Sequence, residues 1–446
     1  MQDRELAAWE GNTTRSRVLT VAGIVLVAFN LRPAITSVGP LIHPIQADLG
    51  LSNGLAGLIT TLPLLAFGVL SPLAPKIGRK IGNPYAILLG LILLAIGIVT
   101  RSGGSIAALF TGTTLVGIGI AVCNVLLPGL VKHLFPNQVG LMTSVYATAM
   151  GLLAATASGV SIPLAQGLRL GWQSTLAGWA LLAVAAGAVW MPQLRLHRKR
   201  QSIANSRLVL AQSSPTQLEF KQTPPETLPA PNLAPKPGLE QRPMSHALWR
   251  SPLAWQVTLF MGLQSFLFYC IIAWLPEILI QDGLSANLSG WLLSLMQVVG
   301  LPATFVTPIL ADRFRNQRPI VLGIGTVYGL GTALLFAHWL PAILLSVVLV
   351  GLGQGSAISL ALALFGLRTQ SAHQAAELSG MAQSIGYFLA ATGPVTTGIL
   401  FDLTGSWTIN LVVFLAVVAL MTWAGVGAGQ RKFVFPQFSE PQRFGF

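Results

Sequence analysis

Charge is what this chain has least of. Only 9% of its 446 residues are Asp, Glu, Lys or Arg, against about 25% in soluble globular proteins. That scarcity excludes a water-solvated surface over most of the chain. Cysteine is nearly missing too. Cys123 and Cys270 both lie inside apolar segments, where thiols behave as small hydrophobes, and neither has disulfide or metal-ligand spacing. No Asp, Glu or His sits deep inside an apolar segment, and there is no HExxH, nucleophile elbow or pair of intramembrane acids. These absences argue against an enzyme and call for no metal and no cofactor. The glycines of Gly351-Leu352-Gly353-Gln354-Gly355 superficially suggest a nucleotide loop, but no strand precedes them, so they read as helix-packing positions.

What the chain does have is hydrophobicity, at 53% of residues. Apolar runs between polar breaks predict twelve spans, each near the 20 residues a bilayer requires. Six fall at 18–45, 53–75, 83–100, 105–131, 139–166 and 172–191, and six more at 251–280, 285–310, 319–338, 341–366, 375–400 and 406–428. The expected organisation is an N-terminal tail 1–17, a six-helix bundle 18–191, a flexible Pro- and Gln-rich linker 192–250, a second bundle 251–428 and a C-terminal tail 429–446. The N-terminus carries no small-residue cleavage site, so the first segment reads as a retained span.

The formal net charge of +13 does not imply nucleic acid, because the basic residues are confined to polar gaps. Counting alternate gaps, 23 of the 26 Lys and Arg fall on one side; only Arg101 and Arg169 lie in the opposite loops, and Arg32 lies within a span. The positive-inside rule places both tails and the linker in the cytoplasm. The partners implied are a lipid bilayer and a small solute, and the chain is expected to be a monomer.

The two halves repeat. Ile45-Gln46-Ala47-Asp48-Leu49-Gly50-Leu51-Ser52 echoes Ile280-Gln281-Asp282-Gly283-Leu284-Ser285; Leu73-Ala74-Pro75-Lys76 echoes Leu310-Ala311-Asp312-Arg313; Leu115-Val116-Gly117-Ile118-Gly119 echoes Leu349-Val350-Gly351-Leu352-Gly353. All three offsets are near 235 residues. A duplicated six-helix unit joined by a cytoplasmic linker is the major facilitator architecture, an all-α membrane fold of twelve transmembrane helices in two halves.

The polar gaps after spans 2 and 8, Pro75-Lys76-Ile77-Gly78-Arg79-Lys80 and Asp312-Arg313-Phe314-Arg315, resemble the acid-base-glycine signature of that superfamily. The resemblance implies a gating latch at Lys76, Gly78, Arg79, Asp312 and Arg313, although Pro75 stands where the first half would carry its acid. Three further stretches resemble the cyanate/nitroimidazole (CynX/NimT-type) transporters: Phe29-Asn30-Leu31-Arg32-Pro33-Ala34-Ile35-Thr36-Ser37-Val38-Gly39-Pro40; Cys123 to Pro128 with Val139 to Thr143; and Ser251 to Ser265 with Trp274 to Leu279. The resemblance implies a bacterial inner-membrane carrier of small solutes.

Arg32 carries the chemistry. A guanidinium stays charged, and near mid-bilayer it costs roughly 3 kcal/mol, so a cavity, a partner or an anionic substrate must offset it. Thr36, one turn on, is expected to share its face. Counted from Pro40 against Pro276, span 7 has an aromatic near the equivalent position, so Arg32 is not a symmetric packing device. Asn124, Gln264, Tyr269, Gln354, Gln383 and Tyr387 complete an expected neutral, polar pocket around this one cation. Glu277, at the outer end of span 7, reads as a solvated acid and is the first suspect for a proton carrier. The leading expectation is a secondary transporter of a small anion. Efflux of nitroimidazole-like molecules is the alternative within transport. A membrane sensor signalling through the linker is the alternative outside it, and it requires an ordered linker.

Overall fold

A computed structural model describes residues 18–135, 139–213, 245–370 and 372–434. The N-terminal tail, linker residues 214–244 and C-terminal residues 435–446 lie outside the described residues. Among the described residues, twelve helical segments are long and apolar enough to cross a membrane. In chain order the helices are α1 (18–29), α2 (Pro33–Thr36), α3 (Val38–Leu49), α4 (Asn53–Leu70), α5 (Ala74–Ile81), α6 (Asn83–Arg101), α7 (Ile106–Leu134), α8 (Val139–Ile162) and α9 (Gly171–Ser213) in the first half. The second half has α10 (Ser245–Arg250), α11 (Pro252–Gln281), α12 (Ala286–Arg313), α13 (Arg318–Leu334), α14 (Leu340–Leu367), α15 (Ala372–Thr404) and α16 (Trp407–Ala428).

The first span is not one helix but three pieces, α1 to α3. Pro33 offers no N–H to the preceding turn and pushes Arg32 out of the helical region, to φ −123° and ψ −41°. The chain turns at Asn30–Arg32 and restarts with Pro33 at the first helical position. Arg32 therefore sits on a break.

Two other expectations need correction. The gap after span 2 is the helix α5, separated from α4 by a short turn. The linker does not begin as coil at residue 192. Helix α9 runs through Pro192 as far as the described residues reach, at Ser213, and 193–213 holds neither Pro nor Gly. Residues 245–250 are helical as well.

The sequence echoes are structural twins. Gly50 and Gly283 both end their helices with positive φ, at 65° and 88°. Ser52 and Ser285 then cap α4 and α12, each accepting from the backbone N–H three residues on, at 3.2 and 3.3 Å. Gly117 packs on Pro63 of α4 as Gly351 packs on Met296 of α12.

The halves meet along α4 with α15, α8 with α12 and α3 with α11. Each seam uses glycine where no Cβ fits: Gly57 against the Pro394 carbonyl, Gly39 against the Ile272 carbonyl and Gly159 beneath the Trp291 ring. Call the end with the basic gaps the basic end. At the opposite end, Asp402 of α15 accepts from the backbone N–H groups of Asn53 (3.1 Å) and Gly54 (2.8 Å) and from Asn53 Nδ2 (2.7 Å). The hydrophobic core around α11 also continues at this opposite end into Val38, Leu41, Ile42 and Ile45 of α3 and Ala56 and Ile59 of α4. The two halves are fused at that end.

Candidate functional site

Between the halves lies a cavity of about 200 Å³, lined from the first half by Arg32 and α8, and from the second by α11, α12, α14 and α15. From the level of Arg32 it extends toward the basic end, past Ala147 of α8, Thr304 of α12 and Leu362 of α14. The wall is mostly apolar, which strengthens any electrostatic interaction inside it.

Arg32 is half-buried. Its guanidinium carbon lies 4.8 Å from the centre of the Phe268 ring, a cation–π contact. Among the described residues no carboxylate comes within 4.0 Å of it. Its charge is cushioned by an aromatic face and left unneutralised.

Five of the expected polar residues line this cavity together: Arg32, Gln264, Tyr269, Gln354 and Tyr387. Gln264 Nε2 donates to the Met261 carbonyl (3.0 Å) and to Ser265 Oγ (2.6 Å), and Gln354 Nε2 donates to Tyr328 Oη (3.1 Å). Tyr269 stands edge-on to Phe268 and Tyr387 edge-on to Phe67, with ring centres 5.0 and 5.4 Å apart.

Three residues do not reach it. Thr36 is fully buried, and its hydroxyl donates to the Ala154 carbonyl (3.0 Å) and back to the Arg32 carbonyl (3.3 Å), so it fastens helices rather than facing a ligand. Asn124 is half-buried on α7, which packs along α4 and α6 and contributes nothing to the wall. Gln383 donates to Ser379 on its own helix at 2.7 Å and does not line the cavity, although Tyr387 one turn away does.

Sequence reasoning missed Gln297 and Thr304 of α12 and Ser359 of α14 as lining residues. Gln297 is the one amide deep in span 8, a signal that was legible. It donates to Ser158 Oγ across the seam at 2.8 Å.

Among the described side chains, no ion pair joins the residues that the resemblance assigns to a latch. Asp312 and Arg313 are both exposed, and among the described residues neither forms an ion pair. Lys76 is exposed as well, and the Arg79 side chain lies outside the described residues. Gly78 alone shows a clear packing role, since a Cβ there would run into the Asn83 side chain.

Glu277 is not the solvated acid expected. Its side chain is 12% exposed, Oε2 lies 3.9 Å from His43 Nδ1 of α3, and Oε1 is buried without a hydrogen-bond partner. Helix α11 threads the centre of its half, and Glu277 faces inward at the fused end.

Twelve membrane-length segments in two twinned halves, with a cavity on the seam, are the architecture of a membrane transporter. The chain belongs to the Major Facilitator Superfamily, whose sequence profile matches residues 24–394 and, in a second alignment, 283–434. It is 49% identical over 426 residues to the uncharacterized transporter YycB of Bacillus subtilis (strain 168), covering 95% of this chain and 96% of that one. It is 37% identical to the 2-nitroimidazole transporter of Escherichia coli (strain K12), covering 94% and 97%. It is 27% identical to the cyanate transport protein CynX of the same organism, covering 89% and 94%. These relatives make it a transporter of the NimT/CynX type. Among solved structures, the D-xylose-proton symporter superposes with a TM-score of 0.68 at 14% identity, covering 93% of this chain and 99% of that chain, which shows the shared fold.

Proposed function

We propose that this chain carries a small planar anion across a bacterial inner membrane by alternating access, with Arg32 as the charge that receives it. The observation that carries this reading is the unneutralised guanidinium on the cavity wall between the halves. A guanidinium fork suits a flat anion, which it can hold with two parallel hydrogen bonds. Gln264, Tyr269, Gln354 and Tyr387 surround the ligand with neutral polar groups. The relative named for cyanate supports a substrate of this class.

Alternating access is supported by the unequal ends. One end is clasped by Asp402 and a continuous core, and the cavity extends toward the other. The charge asymmetry of the gaps makes the basic end cytoplasmic, so this conformation faces inward. Asp312 and Arg313 are then latch residues that engage when the basic end closes.

A second reading, efflux of a nitroimidazole-like molecule, draws on the aromatic wall of Phe268, Tyr269 and Tyr387 and on the relative named for 2-nitroimidazole. The test is uptake into liposomes of a panel of small anions, cyanate included, against nitroimidazoles, with and without a proton gradient. Saturable anion uptake that Arg32→Gln abolishes in folded protein supports the first reading. Transport of neutral nitroimidazoles alone, or undiminished anion uptake by that variant, overturns it.

A further inference from the structure

Arg101 looks from the sequence like an ordinary arginine of an outer loop. It is instead the last residue of α6 and is 1% exposed. Its side chain turns inward, and Nη1 donates to the Ala34 carbonyl at 2.6 Å. Nε and Nη2 are buried without hydrogen-bond partners. Gly112 of α7 makes room, because a Cβ there would strike the Arg101 backbone.

Ala34 lies two residues beyond Arg32, in the short helix that restarts the broken first span. A break of this kind lets the two flanking pieces pivot unless something holds it. The stretch is held from several sides. Asn30 Nδ2 donates to the Leu182 carbonyl of α9 (3.3 Å), Thr36 Oγ1 donates to the Ala154 carbonyl of α8, and Ser158 and Ser161 of α8 donate to the Thr36 and Ser37 carbonyls at 3.1 and 3.2 Å. Arg101 is the one charged group among these fasteners. A hydrogen bond from a charged donor in a dry interior is stronger than one between neutral groups. An apolar side chain of similar length would fill the same space without burying a charge, so packing alone does not account for a guanidinium there.

We propose that Arg101 is a positioning residue, which fixes the Asn30–Ser37 stretch so that Arg32 faces the cavity. The inference rests on the reading of Arg32 as the substrate charge for its consequence in transport, but its geometric part stands apart from it. A merely structural role would change the amount or melting temperature of the protein and leave the folded fraction's affinity untouched.

The test uses the full chain with Arg101→Met and Arg101→Lys. In a background of Cys123→Ala, Cys270→Ala and Arg32→Cys, the rate at which a small charged thiol reagent labels residue 32 reports where that position points. Arg101→Met is expected to change this rate by about threefold or more and, in the Arg32 protein, to raise KM for uptake about fivefold. Arg101→Lys, which keeps a charged donor, is expected to recover part of both. Labelling rate and KM within experimental scatter of the parent, whatever happens to the melting temperature, overturn the proposal. If Arg101→Met does not accumulate, Arg101→Gln is judged by the same two readouts. If Arg32→Gln itself transports normally, the transport reading of Arg32 falls, and the labelling arm alone decides the role of Arg101.

Discussion

Arg32 and Phe268 stand at matching positions of the two halves, each eight residues before a proline, Pro40 and Pro276. They meet across the seam with the guanidinium carbon 4.8 Å from the ring centre. The duplication thus brings two unlike residues together on the cavity wall. The ring lowers the cost of the buried charge without neutralising it, which a carboxylate would do.

Replacing Phe268 by Leu keeps an apolar surface and removes the π face. A cation–π contact is worth about 1 kcal/mol, so the expected outcome is a roughly fivefold rise in KM with folding intact, read by uptake kinetics and thermal melting. An unchanged KM would mean that the ring serves only as a wall.

Asp402 accepts three hydrogen bonds from the start of α4 at the fused end. Asp402 is exposed, so water weakens these bonds, and their combined effect is a modest bias toward this conformation. Asp402→Ala is expected to let the fused end open. A cysteine placed at the fully buried Ile45, in a chain lacking Cys123 and Cys270, would then react with an impermeant thiol reagent several times faster than in the parent. Equal rates would show that the core alone seals this end.

Gly39 lies directly against the Ile272 carbonyl of the other half. Gly39→Val cannot be accommodated without parting α3 from α11, and overpacking of this kind costs about 1–3 kcal/mol. The expected effect is the same increase in Ile45 accessibility as for Asp402→Ala, with a fall in melting temperature. A substitution that lowers stability without opening the end would separate packing from gating.

Glu277 and His43 face each other between α11 and α3 at the same end, 3.9 Å apart, with His43 65% exposed. Glu277→Gln preserves size and removes the titrating group. It is expected to abolish any acceleration of uptake by an imposed proton gradient while substrate exchange continues. Gradient-driven uptake that survives the change excludes Glu277 as the proton carrier.

The repeat was legible because glycine and serine caps carry local signals: Gly50-Leu51-Ser52 and Gly283-Leu284-Ser285 end one helix and start the next in the same way. Pro33 carries a local signal for the break under Arg32, yet the hydropathy of 18–45 reads as one span and hides it. Arg101 was not legible. A terminal arginine beside a Ser-Gly-Gly turn looks solvated, and only the approach of α1–α3 and the gap at Gly112 show that it points inward. Thr36 misled for a related reason. Its spacing from Arg32 suggested a shared face, but its hydroxyl is spent on two backbone carbonyls.

The order of residues along the chain determined by itself a twelve-span membrane protein with one basic side and a doubled plan, because the bilayer's thickness and the backbone's need for internal hydrogen bonds leave few other arrangements for such a sequence. Which polar groups face a ligand was decided by the assembled bundle. A buried amide or hydroxyl satisfies its own helix, a neighbouring helix or a cavity equally well, and only the rotation and contacts of the packed helices choose among them.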